Sequence, residues 1–169
     1  MASTTRPARR ILICEPRSRL AAPFVLQEAA APQACELIWR LAGHGRIWAA
    51  IHAMWTGPEI SCAIPIEDLP GDIIPAAWPY ENETSHPAAG DLVLTRIAEG
   101  PPSPTTPFPN GGLDVGVFYG EGGRLFFPGG WLKGAVVAQV DHAHADALAQ
   151  SARLIRQNGA CQISIEQIP

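Results

Sequence analysis

A chain of 169 residues, 47% of them apolar, has enough material for one domain with a core of its own, which excludes a disordered protein. A net charge of −4, with one lysine and no basic block, excludes nucleic acid as the main partner, because neutralising phosphates takes clustered Lys and Arg. No apolar run approaches the ~20 residues that span a bilayer. The four cysteines stand far apart without C-x-x-C spacing and read as reduced thiols.

Residues 1–8 read as a basic, disordered tail. The apolar segment behind it, Ile11 to Cys14, is stopped by Glu15, Pro16 and Arg17 before it can serve as the core of a signal peptide, so a cytoplasmic protein is expected. A single domain then fills 9–169. Residues 9–19 read as a strand that breaks at Glu15-Pro16 and resumes over Arg17 to Leu20, followed by a short extended piece at Phe24 to Gln27. From Ala29 to Leu41 the period becomes helical, with Pro32 in the first turn and Ala34, Leu37, Ile38 and Leu41 on one face. Arg46 to Trp55 and Glu59 to Pro65 form a hairpin around Thr56-Gly57-Pro58, with Ile60, Cys62 and Ile64 sharing a face.

Trp78 to Leu94 is the densest polar stretch in a chain only 17% charged. It leads into a strand, Leu92 to Thr95. The proline-rich segment 98–112 has no periodicity and reads as a long surface loop. Leu113 to Gly120 and Gly123 to Phe127 read as strands joined by a glycine turn, and Ala135 to Val140 as a further strand. Asp141 is placed to cap a helix from His142 to about Asn158. Arg153 and Arg156 favour the negative end of that helix, and Gly159 stops it. Cys161 to Ile165 alternates as a last strand. Seven or eight short strands with two helices suggest a mainly β fold, a closed or half-closed antiparallel barrel.

Four pieces resemble a bacterial family of small proteins of unknown function with a cyclophilin-like fold. They are Pro32-Gln33-Ala34-Cys35, His52-Ala53-Met54-Trp55-Thr56-Gly57-Pro58-Glu59, Glu81-Asn82-Glu83-Thr84-Ser85-His86-Pro87-Ala88-Ala89-Gly90-Asp91 and Phe126-Phe127-Pro128-Gly129-Gly130-Trp131. The resemblance implies a closed eight-stranded antiparallel β-barrel with helices at its ends. It extends distantly to cyclophilins, which are prolyl isomerases, and to cucumopine synthase, which condenses an amino acid with an oxo acid. The Arg, Gln and His constellation of the cyclophilins has no residue-by-residue match here. The fold alone licenses neither activity.

Within these pieces, Glu81 is the candidate acid or base: a carboxylate lining a barrel pocket can have its pKa raised. His52 is the candidate proton carrier beside it, and Trp55 a platform at the pocket mouth. Asn82, Ser85, Tyr119 and Arg124 are candidate substrate contacts, the Arg124 fork matching a carboxylate. Glu59 is spaced to pair with Thr56 across the turn. His142 and His144 stand ~200° apart on a helix and cannot share one ion, so no metal and no cofactor is expected.

These residues point to a metal-free enzyme doing acid–base chemistry on a small carboxylated or cyclic amide-like metabolite: ring opening, ring closure or isomerisation. A non-catalytic module binding a small molecule or a protein is the second reading, and a prolyl isomerase the third. The expected partner is a small-molecule ligand, with no nucleic acid and no membrane. A homo-oligomer stays open.

Overall fold

Alternation of apolar side chains writes most of this chain as strand, and the computed structural model, which describes residues 7–74, 78–101 and 108–169, closes those strands on themselves. In chain order they are β1 (Arg10–Glu15), β2 (Leu20–Leu26), β3 (Ile47–His52), β4 (Glu59–Pro65), β5 (Glu83–Thr84), β6 (Asp91–Ile97), β7 (Gly112–Phe118), β8 (Phe126–Phe127), β9 (Gly130–Trp131), β10 (Gly134–Val140) and β11 (Cys161–Ile168). Two helices interrupt them, α1 (Pro32–Gly43) and α2 (Ala145–Asn158). The expected tail falls largely on residues 1–6, and the middle of the proline-rich loop on 102–107; both lie outside the described residues.

Pairing runs β2-β1-β11-β3-β4-β7-β6-β10, and a further β2–β10 ladder from Ala138↔Leu26 to Val140↔Phe24 closes the ring. The result is an eight-stranded, antiparallel β-barrel, in which no long strand has a free edge to template another chain. Ile60, Cys62 and Ile64 of β4 are buried together with Leu113, Val115 and Val117 of β7 and with Ile163 and Ile165 of β11. Each such side chain contributes about 1.5–3 kcal/mol through burial.

Helix α1 leaves the C-terminal end of β2 and packs on β10 and β11; α2 leaves the C-terminal end of β10 and packs on β2, β3 and β4. Because β2 and β10 are antiparallel neighbours, the two helices lie at opposite ends of the barrel. Helix α1 starts three residues later than its periodicity suggests. Pro32 is the reason, since its ring drives Ala31 out of the helical region, to φ −140° and ψ 61°. At α2 the structure keeps the cap and changes the first turn. Asp141 accepts the amide of Ala143 at 3.2 Å over a 3-10 turn, His142–His144, before the α-helix begins.

The expected pairing of Leu113 to Gly120 with Gly123 to Phe127 does not form. Both edges of β7 are already taken by β4 and β6, so residues 121–125 cannot join it and β8 pairs with β9 instead. The segment is held on the outer face of the barrel by a second small core of Val93, Phe118 and Leu125, with Phe127 and Val136 packed against it. No helix among the described residues is long and apolar enough to cross a membrane.

Candidate functional site

The end of the barrel that carries α2 holds a two-lobed cleft. Strand β3 stops at His52, the chain turns over residues 53–58, and Tyr119 follows directly on β7. Backbone bonds fix the turn between its neighbours: Tyr119 donates to the Pro58 carbonyl and Arg124 to that of Thr56, both at 3.0 Å. Gly57 makes the approach possible. It sits at φ 93°, and a Cβ there would stand 2.9 Å from the Gly122 carbonyl oxygen. His52, Met54, Tyr119, Glu121, Arg124 and Arg156 line a cleft of about 610 Å³. A second lobe of about 640 Å³ shares Pro58, Tyr119, Glu121 and Arg156 with it and adds Arg153 and Gln157.

At the join, His52 and Tyr119 make a directed pair. The His52 Nδ1 lies 2.8 Å from the Ala53 carbonyl oxygen, which can only accept, so Nδ1 carries the proton. Burial, reinforced by the Arg156 charge, holds the His52 pKa below its ordinary value. The ring is therefore neutral at pH 7 and its Nε2 is an acceptor. The Tyr119 hydroxyl lies 2.7 Å from that Nε2 and donates to it. Burial raises the Tyr119 pKa against the pull of Arg156 and Arg153, so the phenol keeps its proton at neutrality. This leaves a phenolic oxygen in the cleft wall with an imidazole ready to take its proton. Arg153 and Arg156, like Arg124, make no ion pair among the described residues, whereas Arg9, Arg10 and Arg40 each do.

A second polar constellation lies behind the same turn, on the outer face of β4 and β7. Glu59 and Asp114 are both buried, and they share the lining of a cavity of about 80 Å³ with Met54, Trp55, Ser61 and Phe127. Thr56 donates its hydroxyl to Glu59 Oε2, the pairing their spacing suggests. Ser61 donates to Asp114 Oδ1 at 2.8 Å. Burial lifts both carboxyls above the ordinary carboxylate range, and the negative charge of Asp114 lifts Glu59 further. Room for Glu59 comes from Gly116, where a Cβ would stand 2.2 Å from Glu59 Oε1.

The structure separates the residues that the sequence singled out. His52, Tyr119 and Arg124 meet in the cleft, and Trp55 lines the small cavity beside the buried carboxyls. Glu81 lies at the other end of the barrel and does not approach His52. Its Oε2 accepts the amides of Gln33 and Ala34 at 2.9 and 3.0 Å, and its Oε1 accepts the Gln33 side-chain amide at 2.9 Å. It thereby caps α1, whose own N-cap, Ala31, has no side chain to do so. Asn82, at φ 46°, donates its side-chain amide to the Val136 carbonyl at 2.8 Å, and Ser85 donates to that of Leu132 at 2.9 Å. His86 stacks on Trp131 with ring centroids 4.9 Å apart. Tertiary bonds thus absorb much of the polar density of Trp78 to Leu94.

Three site groups escaped the sequence reading. Asp114 is hidden in an apolar run, Leu113 to Phe118, and only its mismatch with that run marks it. Arg153 and Arg156 serve the end of α2 electrostatically, yet their i, i+3 spacing also puts both on one face, toward the cleft. Among the described residues, no group of three or more His, Cys, Asp or Glu side chains is arranged to hold a metal ion.

Comparison with known proteins places the chain. A family model described as a protein of unknown function, DUF3830, matches residues 16–167. No curated protein matches. Among solved structures the chain is similar to that of McbB in complex with tryptophan, at 15% identity and a TM-score of 0.61, over 92% of this chain and 44% of McbB. The chain therefore spans less than half the length of that neighbour. It is also similar to the solution structure of the hypothetical protein AF2241 from Archaeoglobus fulgidus, at 13% identity and a TM-score of 0.52, over 99% of this chain and all of that one. At these identities the likeness is one of fold.

Proposed function

This chain belongs to the DUF3830 family of proteins of unknown function, and from the site itself we propose that it is an acid–base enzyme acting on a small carboxylated metabolite. The observation that carries the proposal is the Tyr119–His52 pair. The phenol is 2.7 Å from a neutral imidazole whose other nitrogen is fixed by the Ala53 carbonyl. In the forward direction the Tyr119 oxygen takes a proton from the substrate as His52 Nε2 takes the proton of Tyr119. In reverse, the protonated imidazole returns a proton through the phenol to the product. Both ends of the relay stay in place, which suits ring opening, ring closure or isomerisation, where a proton leaves one atom and arrives at another. The unpaired arginines supply the carboxylate recognition, since a guanidinium fork matches two carboxylate oxygens. That a fold neighbour, McbB, is known in complex with tryptophan, itself a carboxylate, agrees with this ligand class.

The test is proton exchange. The protein is incubated in D2O with a panel of small carboxylates, and loss of the proton signal next to the carboxylate is followed by NMR. Exchange by the native protein that falls 10²–10⁴-fold in Tyr119→Phe and His52→Ala supports the proposal. Exchange unaffected by either change refutes it. A second reading, a binding module without catalysis, is favoured by one observation: Glu81 is occupied as a helix cap, so the cleft lacks the carboxylate expected to work with His52. Carboxylates that bind without exchange would decide for that reading.

A further inference from the structure

We propose that the ligand of this cleft is a dicarboxylate, held with one carboxylate in each of its two lobes and with the linking carbons against Tyr119. The inference rests on the reading of the cleft as the ligand site and goes further by fixing the number and placement of the anionic groups. Three arginines are spread over the cleft. Arg124 lines the first lobe, Arg153 lines the second, and Arg156 lines both, on the wall it shares with Tyr119 and Glu121. No carboxylate of the described residues pairs with any of the three. A single carboxylate needs only one fork, and one anion cannot occupy both lobes. Two carboxylates on a short linker use Arg124 at one end and Arg153 at the other. Arg156 then stands between them, on the wall that both lobes share.

Carboxylate is favoured over phosphate by the second lobe. Arg153 and Arg156 belong to the last turns of α2, where the backbone presents carbonyl oxygens and the partial negative charge of the helix end. A phosphate dianion prefers the N–H groups of a helix start. The Arg153 and Arg156 side chains must act here without that help, and Glu121 adds a negative charge to the shared wall. Singly charged groups tolerate such surroundings better. Glu121 also offers an acceptor to an N–H or O–H donor on the linker.

The proposal is tested by calorimetric titration of the full chain with acetate, propionate, malonate, succinate, glutarate and inorganic phosphate. One of the dicarboxylates is expected to bind at least tenfold more tightly than either monocarboxylate. Arg124→Ala and Arg153→Ala should each abolish that preference, so that the dicarboxylate binds no more than about twofold more tightly than acetate does to the same variant. All three arginines are exposed, so an unchanged melting temperature is the check on folding. Equal affinity for mono- and dicarboxylates overturns the proposal, as does a preference that survives both substitutions or tighter binding of phosphate. The failures are separable. A dicarboxylate preference without proton exchange keeps this inference and removes the enzyme, whereas exchange on monocarboxylates alone keeps the enzyme and removes this inference.

Discussion

Glu81 and Ala34 are joined by a 3.0 Å hydrogen bond from the Ala34 amide to the Glu81 carboxylate, which ties the most polar stretch of the chain to the start of α1. The same carboxylate takes the backbone and side-chain amides of Gln33. A helix whose first residues are Pro32, Gln33, Ala34 and Cys35 has no acid in its first turn, and Ala31 cannot cap it. Glu81 supplies both the acceptor and the charge from 47 residues away in sequence.

Glu81→Ala is therefore expected to cost about 1–2 kcal/mol of stability, the range for a lost helix cap. Carboxylate binding in the cleft should not change, because the cap lies at the opposite end of the barrel. Urea unfolding and calorimetric titration of the same variant check both halves. A stable variant that has lost binding would return Glu81 to the site.

The His52–Tyr119 pair predicts an acid limb. Burial and Arg156 keep the His52 pKa below its ordinary value of about 6.5, so the folded state holds neutral imidazole where the unfolded chain already binds a proton. Its contribution to stability is complete above pH 6.5 and is lost as pH falls through the folded value. Proton-exchange activity should follow the same limb, since imidazolium has no lone pair to accept the Tyr119 hydroxyl. A plot of log rate against pH should fall with unit slope below that value, and His52→Ala should remove the limb together with the activity.

The fold was legible because its signals are local. The alternation of Ile60, Cys62 and Ile64 and the stripe of Ala34, Leu37, Ile38 and Leu41 are dictated by the 2.0 and 3.6 periods, and both face the core. The turn from His52 to Glu59 was legible for the same reason, Gly57 and Pro58 being turn residues. The role of Glu81 was not, because its partners arrive from another element and nothing at positions 78–94 distinguishes a distant helix start from a substrate. Arg156 was hidden differently. A cation near a helix C-terminus already has a sufficient local explanation, and only the packing of α2 beside the barrel end shows a second use.

Gly116 predicts a packing defect confined to the carboxyl cavity. An added Cβ would stand 2.2 Å from Glu59 Oε1 and 3.2 Å from a ring carbon of Phe118. Glu59 is fully enclosed and cannot swing into solvent. Gly116→Ala is expected to cost about 1–3 kcal/mol, the range for overpacking at a buried position. Thermal unfolding measures it, and pairing it with Glu59→Ala should recover part of the loss, since the second change removes the atoms that collide.

The buried carboxyl pair predicts the largest pH dependence of stability, with the sign opposite to that of His52. Burial raises both groups, Asp114 from 3.8 to about 6 and, with the Asp114 charge beside it, Glu59 from 4.5 to about 8. The folded state thus retains protons that the unfolded chain has released. Their stabilisation is fully present below about pH 4 and is lost as pH rises through the folded values, to about pH 8. Each retained proton contributes a slope of about 1.4 kcal/mol per pH unit within its window. No basic side chain forms an ion pair with either carboxyl among the described residues, so nothing there offsets the second charge. Glu59→Gln keeps an oxygen for the Thr56 hydroxyl and cannot ionise. Urea midpoints measured from about pH 6.5 to 9, above the Asp114 and His52 limbs, should therefore decline in the native protein and flatten in Glu59→Gln, which becomes the more stable of the two at the alkaline end. Parallel declines in both proteins would show that Glu59 does not hold the proton.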